Sequence, residues 1–275
     1  MITTAVIALL LPPFLVTNCW LYLLGYTGVW RTWFPASIYS PWGTVWILAL
    51  LTWPITLFLV SGAWQRLEAS QLESEPNLRG WRLIRWLLLP LAAPALGLAV
   101  VLTMVVTFNN FAVPAILQTK VYAAELWVSF STTFDYGAVV RLSWPLVAAP
   151  ILLLLFLNRR NIPWPASEER VSPRLLRAQL GEGWFWSCAG ITAFLIFVSV
   201  GLPLGQLLGT SQTWMAFPKA FAAAKPALQS SFLFAFSASV VSAAIGLLIW
   251  RWRLGHLLWV PCLVPGVLVG ITLIF

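Results

Sequence analysis

Long apolar runs alternate with short polar segments along almost the whole chain. Seven runs have about the length that a membrane-spanning helix needs, at residues 3–24, 42–62, 85–108, 138–157, 184–208, 228–250 and 256–275. Prolines such as Pro12, Pro54 and Pro90 lie within or at the edges of these runs. Membrane helices tolerate proline because neighbouring groups satisfy the freed backbone carbonyls. The pattern therefore predicts an all-α, polytopic transmembrane helical bundle with about seven spans.

The amino-acid composition excludes an ordinary soluble fold. Hydrophobic residues make up 60% of the 275 residues and charged residues only 9%, whereas a soluble domain carries about 25% charged residues. A soluble globule of this size needs a more polar exterior than these residues supply. The expected surroundings are a lipid bilayer. The net charge of +8 is therefore interpreted through the positions of the basic residues, and not as affinity for nucleic acid.

The basic residues are divided unequally between the two sets of alternate loops. One set, formed by residues 63–84, 158–183 and 251–255 and extended by the boundary residue Arg85, holds eleven arginines. The opposite set holds five basic residues, which are Arg31, Lys120, Arg141, Lys219 and Lys225. Basic residues are concentrated in cytoplasmic loops of membrane proteins. The first set is therefore predicted to be cytoplasmic, and seven alternating spans then place the N-terminus in the cytoplasm as well.

Many of the 18 tryptophans lie close to the predicted span ends, among them Trp81 and Trp184. Tryptophan is enriched at the level of the lipid headgroups, where its ring meets apolar and polar surroundings together. We interpret these residues as an aromatic belt and not as a ligand-stacking site.

A motif lies in and after the loop between the second and third predicted spans. It consists of an acid with small neighbours, a later glycine, an amphipathic stretch and a Leu-Pro pair, carried by Glu68, Ala69, Ser70, Gly80, Trp81, Leu89 and Pro90. Residues 67–96 resemble the cytoplasmic EAA loop of binding-protein-dependent ABC importer permeases. Ser70 stands where that pattern has its second alanine, and Glu73 is an alternative to Glu68 as the acid.

The resemblance implies a mechanical role for this loop. In such permeases the loop docks in a cleft of a soluble ATPase and passes its motion to the membrane helices. A glycine such as Gly80 allows a sharp turn between short helices. One apolar face would enter the cleft, and arginines on the other face would stay near anionic headgroups. The alternative is an ordinary polar loop between two spans, but the arginine distribution independently places this loop in the cytoplasm and favours the coupling loop.

Three further segments, residues 106–117, 134–138 and 226–233, resemble the fused two-half permeases of iron(III)- and thiamine-type importers. A short apolar match between residues 11–18 and 263–270 is consistent with an internal repeat.

These segments lead to an expected division of the chain. We expect the later part of a first permease half at 1–160, including the coupling loop at 63–90. A cytoplasmic linker follows at 161–183, where Pro, Arg and Glu are frequent. The start of a second half, truncated in this sequence, is expected at 184–275.

Polar residues on the opposite side of the membrane form a second group of candidates. Asn109 and Asn110 follow the third predicted span and are candidates for the translocation path, because polar groups at membrane depth often mark one. The alternative is a helix cap, a position that favours asparagine. Lys120, Glu125 and Asp135 are candidates for charge-guided contact with a solute-binding protein, or else are solvated loop residues.

No catalytic or metal-binding pattern is found in the sequence. His, Cys and Asp residues form no cluster with metal-ligand spacing, and no glycine-rich phosphate loop is present. We expect no cofactor, no metal and no enzymatic activity in this chain. The energy for transport would then come from ATP hydrolysis on a separate subunit.

The resemblance implies a multi-pass permease of a bacterial inner (plasma) membrane. Its implied partners are a dimer of ABC ATPase subunits, a second permease half and a periplasmic or lipoprotein solute-binding protein. The implied solute is iron(III)- or thiamine-like. The alternative function is a secondary transporter, or another polytopic membrane protein without an ATPase partner. The scarcity of ionisable residues within the predicted spans argues against coupling to an ion gradient.

Overall fold

The structure is a computed structural model, and it describes residues 2–34, 37–65, 79–133, 137, 141–148, 151–152 and 173–251. Within these ranges every regular element is helical, which confirms the predicted all-α fold. The helices whose two ends are both described are α1 (Ile2–Leu10), α2 (Pro13–Leu24), α3 (Pro41–Trp64), α4 (Trp81–Phe108), α5 (Ala112–Ile116), α6 (Tyr122–Thr133), α7 (Pro173–Leu180), α8 (Glu182–Gly209) and α9 (Ser211–Arg251).

Four helices of the described ranges are long and apolar enough to cross a membrane: α3, α4, α8 and residues Trp214–Leu248 of α9. They coincide with the spans predicted at 42–62, 85–108, 184–208 and 228–250. The span predicted at 256–275 lies outside the described residues, and so does half of the one predicted at 138–157. A polytopic helical membrane protein is therefore confirmed, while the count of seven spans is tested only in part.

The first predicted span, residues 3–24, is not one straight helix. It consists of α1 and α2, which meet at an angle of 87°. The cause is the Pro12-Pro13 pair. Pro12 adopts φ −59° and ψ 132°, as expected before a second proline, which disfavours helical geometry in the preceding residue. Such a pair is either a broken span or a re-entrant segment. The predicted cytoplasmic N-terminus required a full crossing here, so the structure lends that prediction no support.

Helices α3 and α4 form an antiparallel hairpin that builds the core of this region. The side-chain oxygen of Ser40 accepts a hydrogen bond from the Gly43 amide at 3.2 Å, and Pro41 occupies the first turn. Both features favour helix initiation at this point. Buried side chains along the hairpin include Ile47 and Leu50 of α3 and Ala92 and Ala99 of α4.

Each end of the hairpin is closed by a hydrogen bond. At one end the hydroxyls of Thr44 and Thr119 lie 3.0 Å apart. At the other end the indole Nε1 of Trp64 donates to the carbonyl oxygen of Leu88 at 3.1 Å. The Trp64–Leu88 bond holds α3 against α4, and the Thr44–Thr119 contact holds α3 against the segment that precedes α6.

Two π-helical stretches interrupt α4 and α8, at Ile84–Leu88 and Phe197–Gly201. In each, the amide of the following leucine donates to a carbonyl five residues back, Leu89 to Ile84 and Leu202 to Phe197. In both cases that leucine precedes a proline, Pro90 or Pro203. Because proline has no N–H, the carbonyl four residues before it loses its α-helical donor. The π-helical pattern, in which an amide donates to the carbonyl five residues back, is one way for the helix to continue past this missing hydrogen bond.

The described residues fall into two compact units, the first ending at Pro203 and the second beginning at Leu204. The sequence instead suggested a division within 161–183. The difference arises because the start of α4 packs against residues on both sides of Gly181, which joins this part of the chain to the first unit. The assignment of 1–160 and 184–275 to two permease halves stays a prediction.

Candidate functional site

Gly80, one of the predicted coupling residues, forms the turn that leads into α4. Its backbone has φ 56° and ψ −127°, a combination that is open to glycine and strained for residues with a Cβ. The Gly80 amide donates a hydrogen bond to the carbonyl oxygen of Gln179 at 3.0 Å, and the Gly80 carbonyl accepts one from the Ile84 amide at 3.2 Å. The glycine therefore both starts α4 and fastens it to α7.

Trp81 stacks on Trp184, the third residue of α8. The two ring centroids are 5.4 Å apart and the ring planes differ by 24°, which is a favourable offset-stacked geometry. Both side chains remain partly open, with 54% of Trp81 and 43% of Trp184 exposed. Two tryptophans assigned from the sequence to an aromatic belt thus contact each other directly.

An apolar cluster continues this contact along the first turns of α4. Leu83, Leu88 and Leu180 are buried together, with Ile84, Leu87, Leu91 and Phe185 packed around them. Arg82 and Arg85 lie on the exposed face of the same segment. The predicted amphipathic stretch is therefore present. Its apolar face, expected to enter an ATPase cleft, is occupied at Leu83 and Leu88 by residues of the same chain.

The turn between α7 and α8 is stiffened by polar contacts. Gly181 adopts φ 82°, and across it the Arg177 guanidinium donates to both carboxylate oxygens of Glu182, at 2.8 and 3.1 Å from Nη2. The indole of Trp186 also donates to Glu182, at 3.0 Å, and Arg177 lies 5.0 Å from the ring centre of Phe185. This turn presents Leu180 and Trp184 to the start of α4.

Sequence reasoning missed this half of the site. The sequence places residues 173–183 in the predicted linker, although one signal indicates a helix. A leucine-rich stretch ending in Leu180 and followed by Gly181 is typical of a helix that stops at a glycine. That signal predicts the helix, but it does not predict that Gly80 and Trp81 are its partners.

The remaining predicted coupling residues are placed unevenly. Leu89 follows the π-helical stretch with 51% of its side chain exposed, and Pro90 is exposed beside it. Glu68, Ala69 and Ser70, together with the alternative acid Glu73, lie outside the described residues. Their role in coupling stays a prediction.

Asn109 and Asn110 lie at the opposite end of α4 from Gly80. The 28 residues of α4 extend roughly 42 Å at 1.5 Å per residue, so the two candidate groups do not form one site. Asn109 is the C-cap residue that follows Phe108, with right-handed backbone geometry, and its Oδ1 is buried with no partner among the described residues. Asn110 Oδ1 accepts a hydrogen bond from the Val113 amide at 3.2 Å. Both residues occupy helix ends, and their place on a translocation path stays a prediction.

A cavity of about 340 Å³ lies beside Asn110. It is lined by Thr44, Leu48, Met104, Thr107, Phe108, Asn110, Pro114, Val121, Tyr122 and Ala123. Most of its polar groups already have partners. Thr107 donates to the Thr103 carbonyl at 2.8 Å, and the Tyr122 hydroxyl donates to the Leu142 carbonyl. The lining thus offers mainly apolar surface, and the cavity alone indicates no ligand.

The charged candidate residues near the Asn109 end of α4 do not form a common site. Lys120 and Glu125 are exposed, and Asp135 lies outside the described residues. In the part of the chain that the structure describes, no three His, Cys, Asp or Glu side chains are grouped closely enough to hold a metal ion.

Comparison with known proteins identifies one curated relative across most of the chain. It is the Fe(3+)-transport system permease protein FbpB 2 of Haemophilus influenzae, 23% identical over 281 aligned positions that cover 92% of this chain. This chain is a distant relative of an iron(III)-transport permease. The resemblance to importer permeases, predicted from the motifs, is thereby confirmed as a distant relationship. The chain spans 53% of the length of that relative.

The other two comparisons add no second relationship. No protein-family profile matches the chain, and no solved structure matches it. The permease relative and the long apolar helices together support a multi-pass inner-membrane protein. The relative is named as a transport permease, which agrees at a coarse level with the prediction that this chain is not an enzyme.

Proposed function

We propose that this chain is part of the membrane-spanning permease of an ATP-driven ABC importer for iron(III). One observation carries the proposal, namely the alignment with an Fe(3+)-transport system permease over 92% of the chain. The name of that relative, an Fe(3+)-transport system permease, also favours iron(III) over the thiamine-like solute that the sequence left open. A second permease half, two ATPase subunits and a solute-binding protein outside the membrane complete the proposed importer.

The proposed mechanism is alternating access. ATP binding closes the two ATPase subunits, the loop that precedes α4 follows them, and the helices reopen toward the solute-binding protein. The rigid Gly80 turn at the start of a spanning helix supports this role, because movement of the loop would be passed directly to α4. The exposed side chains of Arg82 and Arg85 remain available for contact with lipid headgroups or with the ATPase.

The proposed orientation rests on the arginines. Arg79, Arg82 and Arg85 surround the Gly80 turn, so this end of α4 is proposed to be cytoplasmic. Asn109, Asn110, Lys120 and Glu125 would then face the outside, near the binding protein. The N-terminus is cytoplasmic if α1 and α2 cross the membrane together, and external if they form a re-entrant pair.

Purification of the affinity-tagged full-length protein from its native membranes tests the proposal. We expect an ATP-binding subunit to purify with it, and we expect vesicles holding the complex and its binding protein to take up ⁵⁵Fe(III) only when ATP is supplied. Uptake that needs an ion gradient and no ATPase would support the secondary transporter instead. Thiamine competing with iron would reverse the choice of solute.

Substitution of the two acids in the loop tests the coupling residues. Glu68→Ala and Glu73→Ala are made singly, and the variant that loses ATPase association identifies the acid of the motif. Glu125→Ala, on the proposed external side, is the matched control and should retain the ATPase. If both loop variants keep full ATPase association and uptake, the coupling loop is not located there.

A further inference from the structure

We propose that Trp184 and Leu180 form a brace that fixes the start of α4 to α8, so that movement of the coupling loop reaches α8 as well as α4. This inference rests on the proposed importer function, because it assigns a path by which the ATPase drives a second spanning helix. Trp184 is a positioning residue in this scheme, since it acts through Trp81 and the Gly80 turn.

The brace combines three kinds of contact within a short stretch of chain. The Gly80 amide is hydrogen-bonded to the Gln179 carbonyl at 3.0 Å, and Trp81 stacks on Trp184 at 5.4 Å. Leu83 packs in the cluster that contains Leu180. The hydrogen bond restricts the relative direction of the two backbone segments. The ring stack restricts their rotation against each other, and the apolar packing restricts the distance between them. Together these contacts resist displacement of the two segments in several directions at once.

Each partner of the brace is a turn that is held by contacts within its own segment. Gly80 and Gly181 have positive φ angles of 56° and 82°, and the hydrogen bond from the Gly80 amide to Gln179 brings the two turns together. The bidentate pair of Arg177 and Glu182 spans the second turn. A flexible contact would absorb the motion of the loop, whereas two stiff turns transmit it.

The two tryptophans differ from residues of an ordinary buried core because both side chains are partly exposed. Trp81 is 54% exposed and Trp184 is 43% exposed, so truncating either ring leaves no enclosed cavity. The helices themselves are held by other contacts, such as the Trp64–Leu88 hydrogen bond of the α3–α4 hairpin. Loss of the stack should therefore change how the segments move together more than whether the protein folds.

The test compares Trp184→Ala, Trp81→Ala and the double variant in the complete complex. Limited trypsin digestion of inside-out vesicles measures cleavage after Arg82, and reconstituted vesicles measure iron taken up per ATP hydrolysed. We expect each single variant to raise cleavage several-fold and to lower the uptake per ATP several-fold. The double variant should be no worse than the single ones, and Trp184→Phe should restore both values because it keeps a stacking ring.

Trp86→Ala is the matched control, because Trp86 lies on the same segment with 69% of its side chain exposed and does not stack on Trp184. It should leave cleavage and uptake per ATP unchanged. Unchanged cleavage in Trp184→Ala, or raised cleavage with normal uptake per ATP, overturns the brace. Absence of an ATPase from the wild-type preparation overturns the proposed function instead, whatever the cleavage pattern shows.

Discussion

Trp64 and Leu88 join the ends of α3 and α4 through a hydrogen bond of 3.1 Å from the indole nitrogen to the carbonyl oxygen. Trp64 is the last residue of α3, and Leu88 is the last residue of the π-helical stretch in α4. The bond therefore closes the chain segment that leaves α3 and returns through Gly80. It places the start of α4 against α3, while the contacts of Trp81 place it against α8.

Trp64→Phe should weaken this closure without removing the apolar ring. A hydrogen bond of this type contributes about 1 kcal/mol to stability, and we expect a loss of that size in the free energy of unfolding. Unfolding by SDS in mixed micelles measures it. Trp42→Phe on the same helix is the control, because Trp42 is 82% exposed. Equal losses in both variants would contradict a specific role for the Leu88 bond.

Gly80→Ala should strain the turn at the start of α4. The backbone angles of φ 56° and ψ −127° cost a residue with a Cβ about 1–3 kcal/mol. We expect a lower unfolding free energy and reduced uptake per ATP. Gly97→Ala serves as the comparison, since an added methyl group there meets no atom within 4 Å and alanine favours a helix interior by about 1 kcal/mol. The prediction fails if both substitutions stabilise the protein.

Pro90→Ala should convert the π-helical stretch to regular α-helix. The alanine supplies an N–H to the carbonyl four residues before it, which removes the reason for the wider register. Trp81 and Leu83 would then rotate away from Trp184 and Leu180. We expect several-fold faster trypsin cleavage after Arg82. Pro94→Ala, which lies inside the same helix beyond the π-helical stretch, should leave cleavage unchanged.

Thr44 and Thr119 should show a direct energetic coupling. Their hydroxyls are 3.0 Å apart and link α3 to the segment before α6. Hydrogen bonds between helices of membrane proteins are worth about 0.6 kcal/mol on average in double-mutant cycles, and we expect a coupling of that order between Thr44→Val and Thr119→Val. Thr107→Val pairs with Thr44→Val as the control cycle, because Thr107 bonds within its own helix. A coupling equally large in the control would contradict the link.

Asn109→Leu should separate transport from stability. Asn109 Oδ1 is buried with no partner among the described residues, so removing it should stabilise the fold slightly, by up to about 1 kcal/mol. Asn110→Leu should destabilise by about 1 kcal/mol, since it loses the bond to the Val113 amide. We expect lower iron uptake in Asn109→Leu despite its intact stability. Normal uptake in that variant would remove Asn109 from the translocation path.

Local signals in the sequence predicted the long helices well. The run at 42–62 and the helix Pro41–Trp64 agree closely, because Ser40 and Pro41 mark the start and the apolar run contains no charged residue. The run at 85–108 began too late, since Arg82 and Arg85 hid a helical segment that starts at Trp81. The run at 228–250 also began late, because α9 continues through Lys219 and Lys225 from Ser211. A hydropathy pattern identifies only the apolar run, so it does not predict the more polar turns by which the same helix extends beyond that run.

The partners of the candidate site could not be predicted in the same way. Gly80 and Trp81 were identified by a motif, but Gln179, Leu180 and Trp184 lie about a hundred residues further along the chain. Their contact depends on tertiary packing, which a local pattern does not contain. The bend between α1 and α2, by contrast, could be predicted from the local sequence, because the Pro12-Pro13 pair favours a break in any helix.

The paired π-helical stretches impose a change of phase on both helices. Each residue of an α-helix advances by about 100° around the axis, so accommodating one additional residue per turn shifts every later side chain to a different side. The first turns of α4 can therefore aim Leu83 at α7 while the rest of the helix aims Ala92 and Ala99 at α3. Leu89-Pro90-Leu91 thus marks an angular offset in α4, which lets one continuous helix pack against two neighbours that lie in different directions.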